Sequence, residues 1–425
     1  MSYPSTLFDY LALDFPDYTW KQLGEPTLVL EGVTRLDVHL VSQKWQGILW
    51  AHHLHLFVPE LQSTELSDQV LLTIAEDGPA SLHHAGRSAA MAAATGMVCA
   101  VLCDVPNQPL YDGLVEDALI AQTFLNHLDT GEAWWPLLLP MVRSASAAMS
   151  AIQELCAETA IGDVTRFVVT GASKRGWTTW LAGAADKRVS AIAPVVFDNL
   201  NFFTQMPHQL DVFDTYSEEI SDYTASGIVD RMITPDGYKL VSLVDPFSYR
   251  EALGLPKLII NGTNDPYWAT DAINIYWEQL TGAKSVLYIP NQGHFLKDEV
   301  RFEPALAAFA LETHRGAELP AVSALLTSKE DAAGVSVVIL NRQVGAEIGV
   351  WWANTAPGSK DFRLSKWSYV RLTTNAAKAE GVIPGTISQG SCVAAFAECT
   401  FEGPFGQYKL SSPMQVLRPM YGATS

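Results

Sequence analysis

The chain has 425 residues, with 27 Lys and Arg against 46 Asp and Glu, giving a net charge of −19. Apolar residues make up 48% and charged residues only 17%, a balance that fills a sizeable core and excludes a disordered chain. So acidic a protein is repelled by phosphate backbones and anionic membrane surfaces, which argues against nucleic acid as a partner.

The N-terminus, Met-Ser-Tyr-Pro-Ser-Thr, has no basic segment followed by an apolar run, so no export signal of the usual kind is read there. The five cysteines, Cys99, Cys103, Cys156, Cys392 and Cys399, contain no CxxC and read as buried thiols in strands. Cys392 and Cys399 are the pair that could bridge within the C-terminal region. The uncharged run 88–103 is too short to span a bilayer and reads as a helix–strand unit split by Gly96.

In chain order, residues 27–58 read as β-structure, with alternation at 36–41 and a longer strand at 48–58 stopped by Pro59. From residue 70 short apolar runs alternate with segments of helical period. The runs lie at 70–74, 97–102, 167–169, 189–196, 257–260 and 286–289, and the helical candidates at 114–128, 144–158, 174–184, 270–281 and 304–312. Continuous apolar strands separated by helices predict a mainly parallel sheet covered on both faces. The stretch from Val196 to Lys257 is far too long for an ordinary loop and is rich in Phe and Tyr. It predicts a helical cap insert at about 197–256. After Leu319-Pro320 the helical period fades. Short strands at 335–340, 347–352, 367–373 and 392–401 predict an antiparallel β-sandwich. The expected division is therefore 1–319 and 320–425.

The chemistry centres on residues 164–177. An apolar strand runs into Gly171-Ala172-Ser173-Lys174-Arg175-Gly176 and then a helix, the outline of a nucleophile elbow. Its second glycine is displaced by one position, G-x-S-x-x-G. A serine hydroxyl needs a histidine base and a carboxylate to orient it. In this architecture they follow in the order Ser, acid, His, each after a strand. Asp265 follows the strand at 257–260 and His294 the strand at 286–289. Asp198, after the strand at 189–196, competes as the acid or marks the cap hinge. The Lys174 N–H and one near Ala75 are expected to hold an oxyanion. Arg175, Trp177, Asp198 and Trp268 are candidates for the substrate pocket, with a salt bridge for Arg175 and core packing for Trp177 as the alternatives. No HExxH or HxxEH spacing supports a metal role for His52, His55 or His83, and no metal or cofactor is predicted.

The segment Gly-Ala-Ser-Lys-Arg-Gly-Trp-Thr-Thr-Trp (171–180) resembles the signature of the PhoPQ-activated pathogenicity-related family. The resemblance extends to Val-Pro-Asn-Gln-Pro-Leu (105–110), Glu-Asp-Ala-Leu-Ile-Ala (116–121), Asp-Lys-Arg-Val (186–189), Asp-Pro-Phe-Ser-Tyr-Arg (245–250) and Ile-Asn-Gly-Thr-Asn-Asp (260–265). It also takes in Pro-Asn-Gln-Gly-His (290–294), Trp-Trp-Ala-Asn (351–354) and Asp-Phe-Arg-Leu (361–364). It implies an α/β-hydrolase-like fold with a β-rich C-terminal domain and the triad Ser173, Asp265 and His294. The displaced glycine also resembles the elbow of glucuronoyl esterases, where a cation after the serine helps hold the oxyanion, and Lys174 stands at the comparable place. One departure is the turn Ile74-Ala75-Glu76-Asp77-Gly78, which puts carboxylates where the family tends to have a Gly-rich turn. Family members are often exported; this sequence assigns neither a compartment nor an oligomeric state.

These readings predict a serine hydrolase acting on an ester or amide of a small molecule or peptide. A non-catalytic binding or signalling protein on a hydrolase scaffold, and an aminopeptidase-like serine peptidase, are the alternatives.

Overall fold

A computed structural model of the chain describes residues 6–60, 68–76, 82–328, 333–340, 347–375, 378–385, 390–403 and 406–419. The chain divides into two compact units, each interrupted in sequence. The first is Met1–Phe197, Asp222–Lys257 and Ala310–Ala317; the second is Asp198–Ser221, Leu258–Phe309 and Glu318–Ser425.

The first unit begins with a short helix, α1 (Thr6–Leu11), and three long antiparallel strands, β1 (Thr19–Leu30), β2 (Val33–Trp45) and β3 (Ile48–Pro59). Next come β4 (Gln69–Ile74), α2 (Leu82–Thr95), β5 (Cys99–Leu102), α3 (Glu116–Thr130), α4 (Leu138–Glu158), β6 (Arg166–Ala172), α5 (Lys174–Ala185) and β7 (Val189–Val195). The strands lie in the order β1-β2-β3-β5-β4-β6-β7, with β5, β4, β6 and β7 parallel. The apolar runs of β4 to β7 are almost wholly buried, as strands covered on both faces must be. By contrast β1 is mostly exposed, which is why its polar sequence gave no strand signal before residue 27.

Between β7 and β8 (Lys257–Gly262) the long connection is helical. It contains α6 (Phe202–Phe213), α7 (Ser221–Ala225), α8 (Ile228–Arg231) and α9 (Pro235–Val244). Thr234 caps α9 by accepting from the Gly237 N–H, and Pro235 sits in the first turn, where its missing N–H costs nothing.

In the second unit β8 neighbours β9 (Lys284–Ile289). The helix predicted at 270–281 is absent: the segment forms two short 3₁₀ turns, Ala272–Ile275 and Trp277–Gln279. After α10 (Glu299–His314) come β10 (Ala321–Ser328), β11 (Ala333–Leu340), β12 (Glu347–Asn354), β13 (Ser368–Arg371), β14 (Thr373–Asn375), β15 (Lys378–Ile383), β16 (Val393–Gly403), β17 (Gly406–Ser411) and β18 (Gln415–Leu417). One sheet runs β8-β9-β17-β16-β12-β13, with β18 paired to β16; the other is β10-β11-β15-β14. They meet where β10 packs on β16 and β18, so the C-terminal strands make a two-layered β-sandwich.

All five cysteines are buried free thiols. Cys392 and Cys399 cannot bridge, because seven residues of extended strand hold them roughly 23 Å apart. No helix among the described residues is long and apolar enough to cross a membrane.

Candidate active site

Ser173 stands alone between β6 and α5 with φ 58° and ψ −122°, a region that an L-residue enters at a cost of about 1–3 kcal/mol. Its conformation is held from both sides. The Ser173 N–H donates to Val195 O on β7 at 2.9 Å, and Ser173 O accepts the first helical bond from the Trp177 N–H at 3.0 Å. Both glycines of the turn are sterically required. A Cβ at Gly171 would lie 2.7 Å from Arg175 O, and one at Gly176 would lie 2.7 Å from Val195 O. The displaced second glycine therefore lets the first turn of α5 press against the end of β7. The sharp turn presents the serine at the C-terminal end of a parallel strand, beside a helix N-terminus.

A network of ions fixes that helix end. Arg175 is 2% exposed and forks onto both oxygens of Glu116 at 2.9 and 2.6 Å, while its Nε donates to Val105 O. Lys174 Nζ lies 2.7 Å from Asp117 Oδ2 and 3.4 Å from Glu116 Oε2. Asp117 Oδ1 accepts from the Tyr223 hydroxyl at 2.8 Å, and Gln108 Nε2 donates to Glu116 Oε1 at 2.6 Å. Burial pushes the Glu116 carboxyl up, but its bonds and charge attraction to Arg175 prevail and hold it down at about 2.

In the second unit, His294 Nδ1 and Asp265 Oδ2 are 2.8 Å apart and both side chains are over nine-tenths buried. With a carboxylate at Nδ1, that nitrogen carries the proton and donates, which makes Nε2 the basic atom. The other Asp265 oxygen, Oδ1, accepts from the Tyr267 N–H at 2.9 Å. The two loops carrying this pair are stitched to the segment after β12. Asn264 Nδ2 donates to Arg363 O at 3.0 Å and Ser365 O at 2.8 Å. Asn291 exchanges two bonds with the Trp367 backbone at 3.1 and 2.8 Å, and its own N–H donates to Thr263 Oγ1 at 2.8 Å.

The structure thus brings Asp265 and His294 together and gives the other candidates the following surroundings. Asp198 is not the partner of His294: it is buried and accepts from the Tyr276 hydroxyl. Burial lifts its carboxyl to about 7 against the opposing pull of that bond. The N–H of Ala75 itself donates to Leu102 O at 2.8 Å and so belongs to the sheet. Of the altered turn, Glu76 is half-exposed and lies 3.7 Å from Arg175, whereas Asp77 and Gly78 fall outside the described residues. The Lys174 ammonium is committed to Asp117. Arg175 is a buried structural ion. Trp177 is core: it stacks on Phe197 with centroids 5.0 Å apart and donates to Val244 O at 2.6 Å. Trp268 is buried against Tyr267. His52 bonds Ser42 and the backbone of residues 103 and 104, and His55 pairs with Asp37; the side chain of His83 lies outside the described ones. The sequence places Glu116 and Asp117 in a family motif without a role, and it does not single out Tyr267. The adjacent carboxylates opening α3 were the available signal for the first two.

A parallel-cored sheet with a serine on a strained strand–helix turn after β6 defines the α/β-hydrolase fold, here extended by C-terminal β-sheets. Residues 7–363 match the PhoPQ-activated pathogenicity-related protein family, and the chain belongs to it. The chain is 30% identical over 383 residues to autocrine proliferation repressor protein A of Dictyostelium discoideum, covering 85% of this chain and 76% of that protein. Among solved structures, acetyl xylan esterase 1 from Thermoanaerobacterium is similar at 14% identity, with a TM-score of 0.48 and coverage of 73% of this chain and 94% of that one. A glucuronoyl esterase from Solibacter usitatus is similar at 13% identity, with a TM-score of 0.44 and coverage of 73% and 91%.

Proposed function

We propose that the protein is a serine hydrolase that transfers an acyl group from an ester or amide to water. Ser173 is the nucleophile, His294 the base and Asp265 the group that orients the imidazole. His294 Nε2 takes the hydroxyl proton as Ser173 Oγ attacks the carbonyl carbon, then returns it to the leaving oxygen or nitrogen; water repeats the cycle on the acyl-enzyme. The observation that carries this reading is the buried 2.8 Å contact between His294 Nδ1 and Asp265, since it fixes the tautomer a general base needs. The strained Ser173 turn supports it independently. On this reading the Lys174 N–H is one oxyanion donor, and the Lys174 side chain holds the α5 N-terminus in place through Asp117.

A non-catalytic signalling role is the second reading. It is favoured by the name of the Dictyostelium relative and by the engagement of the Ala75 N–H in the sheet. Turnover of a panel of activated esters and aminoacyl amides separates the two. The hydrolase reading expects turnover by the wild type that falls at least roughly 10³-fold in Ser173→Ala. Equal rates for the two proteins would exclude it, and cleavage of the amides would make it a peptidase.

A further inference from the structure

Two residues beyond Asp265, the ring of Tyr267 lies against the His294 imidazole. Their centroids are 4.2 Å apart and their planes are inclined by 31°. The Tyr267 N–H also donates to Asp265 Oδ1, so one residue both covers the imidazole and holds the carboxylate from behind. Its backbone is braced in turn. Gln209 Nε2 donates to Tyr267 O at 3.0 Å, the Ser217 hydroxyl donates to Pro266 O at 2.7 Å, and Gln209 Oε1 accepts from the Ser217 N–H at 3.1 Å. Gln209 is fully buried, so α6 and the residues after it fix the loop on which Tyr267 stands.

A face-on aromatic ring does two things to an imidazole. It restricts rotation of the ring plane, and its electron-rich face attracts an imidazolium more strongly than a neutral ring. The base of a Ser-His-Asp triad becomes imidazolium in the transition state. A contact that strengthens there lowers the barrier, whereas one of constant strength does not.

We infer that Tyr267 is a positioning residue for the His294–Asp265 pair, acting through its ring face and its N–H and not through its hydroxyl. The kinetic consequence rests on the hydrolase reading above; the geometry does not. The test compares full-length wild type, Tyr267→Phe and Tyr267→Leu. It uses p-nitrophenyl acetate turnover, and NMR of the His294 ring protons assigned by their loss in His294→Gln. The expected result is that wild type and Tyr267→Phe share an upfield ring-current displacement of those protons and the same kcat. Tyr267→Leu loses the displacement, and its kcat falls about tenfold with KM little changed.

A Phe variant as impaired as the Leu variant would overturn the inference, as would a Leu variant with wild-type kcat. Undisplaced His294 protons in the wild type would overturn it too, and that reading stands even if Tyr267→Leu does not fold. Failure of the hydrolase reading is distinguishable: it shows as wild-type turnover indifferent to Ser173→Ala. Failure of this inference shows as Ser173-dependent turnover indifferent to Tyr267→Leu.

Discussion

Asp265 accepts the Nδ1 hydrogen of His294 at 2.8 Å while its second oxygen takes the Tyr267 N–H. Both carboxylate oxygens are thereby oriented, and the imidazole is held in one tautomer. Asp265→Asn keeps the shape but offers an amide N–H or a weaker acceptor to Nδ1, which favours the wrong tautomer. The expected loss in kcat is roughly 10³–10⁴-fold with an unchanged circular dichroism spectrum; steady-state kinetics on an activated ester check it.

The ion network beneath α5 makes a stability prediction. Arg175→Met removes the bidentate partner of the Glu116 carboxylate, which keeps Gln108 and the more distant Lys174 and, being about a third exposed, can recover water. The expected destabilisation is about 2–3 kcal/mol, below the figure for a fully buried broken pair. Urea unfolding measures it.

Glu116 also predicts an acid limb. Its folded carboxyl is held at about 2 against an ordinary 4.5, so the folded state binds its proton less tightly than the unfolded state. The stabilisation is complete above about pH 5 and is lost as pH falls through 4.5 towards 2. Unfolding curves over that range should be less steep in pH for Glu116→Gln than for the wild type.

Asp198 acts in the opposite sense. Its folded carboxyl is raised to about 7 from 3.8, so the folded state holds a proton that the unfolded state has released. Its contribution is full below about pH 4 and is lost as pH rises towards 7. Asp198→Asn keeps an acceptor for the Tyr276 hydroxyl and cannot ionise. Its stability relative to wild type should rise between pH 4 and 7 and level off above; thermal melts at fixed salt test this.

The elbow was legible because its requirements are local. A strand, small residues around Ser173 and a helix all fall within about a dozen positions, and the strained turn forbids a Cβ at Gly171 and Gly176. Asp265 and His294 were legible because each directly follows a continuous apolar strand, β8 or β9. What the sequence concealed was side-chain pairing across distance. Arg175 and Glu116 are 59 positions apart, and no period links them, so Arg175 read equally well as a pocket residue. The 270–281 stretch has helical spacing, yet its turns close as 3₁₀ around the buried Tyr276. There the tertiary demand of the Asp198–Tyr276 bond prevails over propensity. The Ala75 N–H lay beyond prediction because its engagement depends on the register of β4 against β5.

The displaced glycine gives a further check. In Gly176→Ala the new methyl meets Val195 O and the Phe197 Cβ. The helix must shift, at an expected cost of about 1–3 kcal/mol, and Ser173 moves with it. A lowered melting temperature together with reduced turnover is the expected outcome, and a variant of wild-type stability and rate would show that the close approach is not needed.

The most direct measurement is covalent: treat the full-length protein with a fluorophosphonate and locate the adduct by peptide mass spectrometry. An activated serine is expected to be labelled at Ser173 in the wild type, with labelling abolished in Ser173→Ala and strongly slowed in His294→Gln. A wild-type protein left unlabelled, or one whose Ser173 reacts as fast after His294→Gln, would contradict a catalytic Ser173.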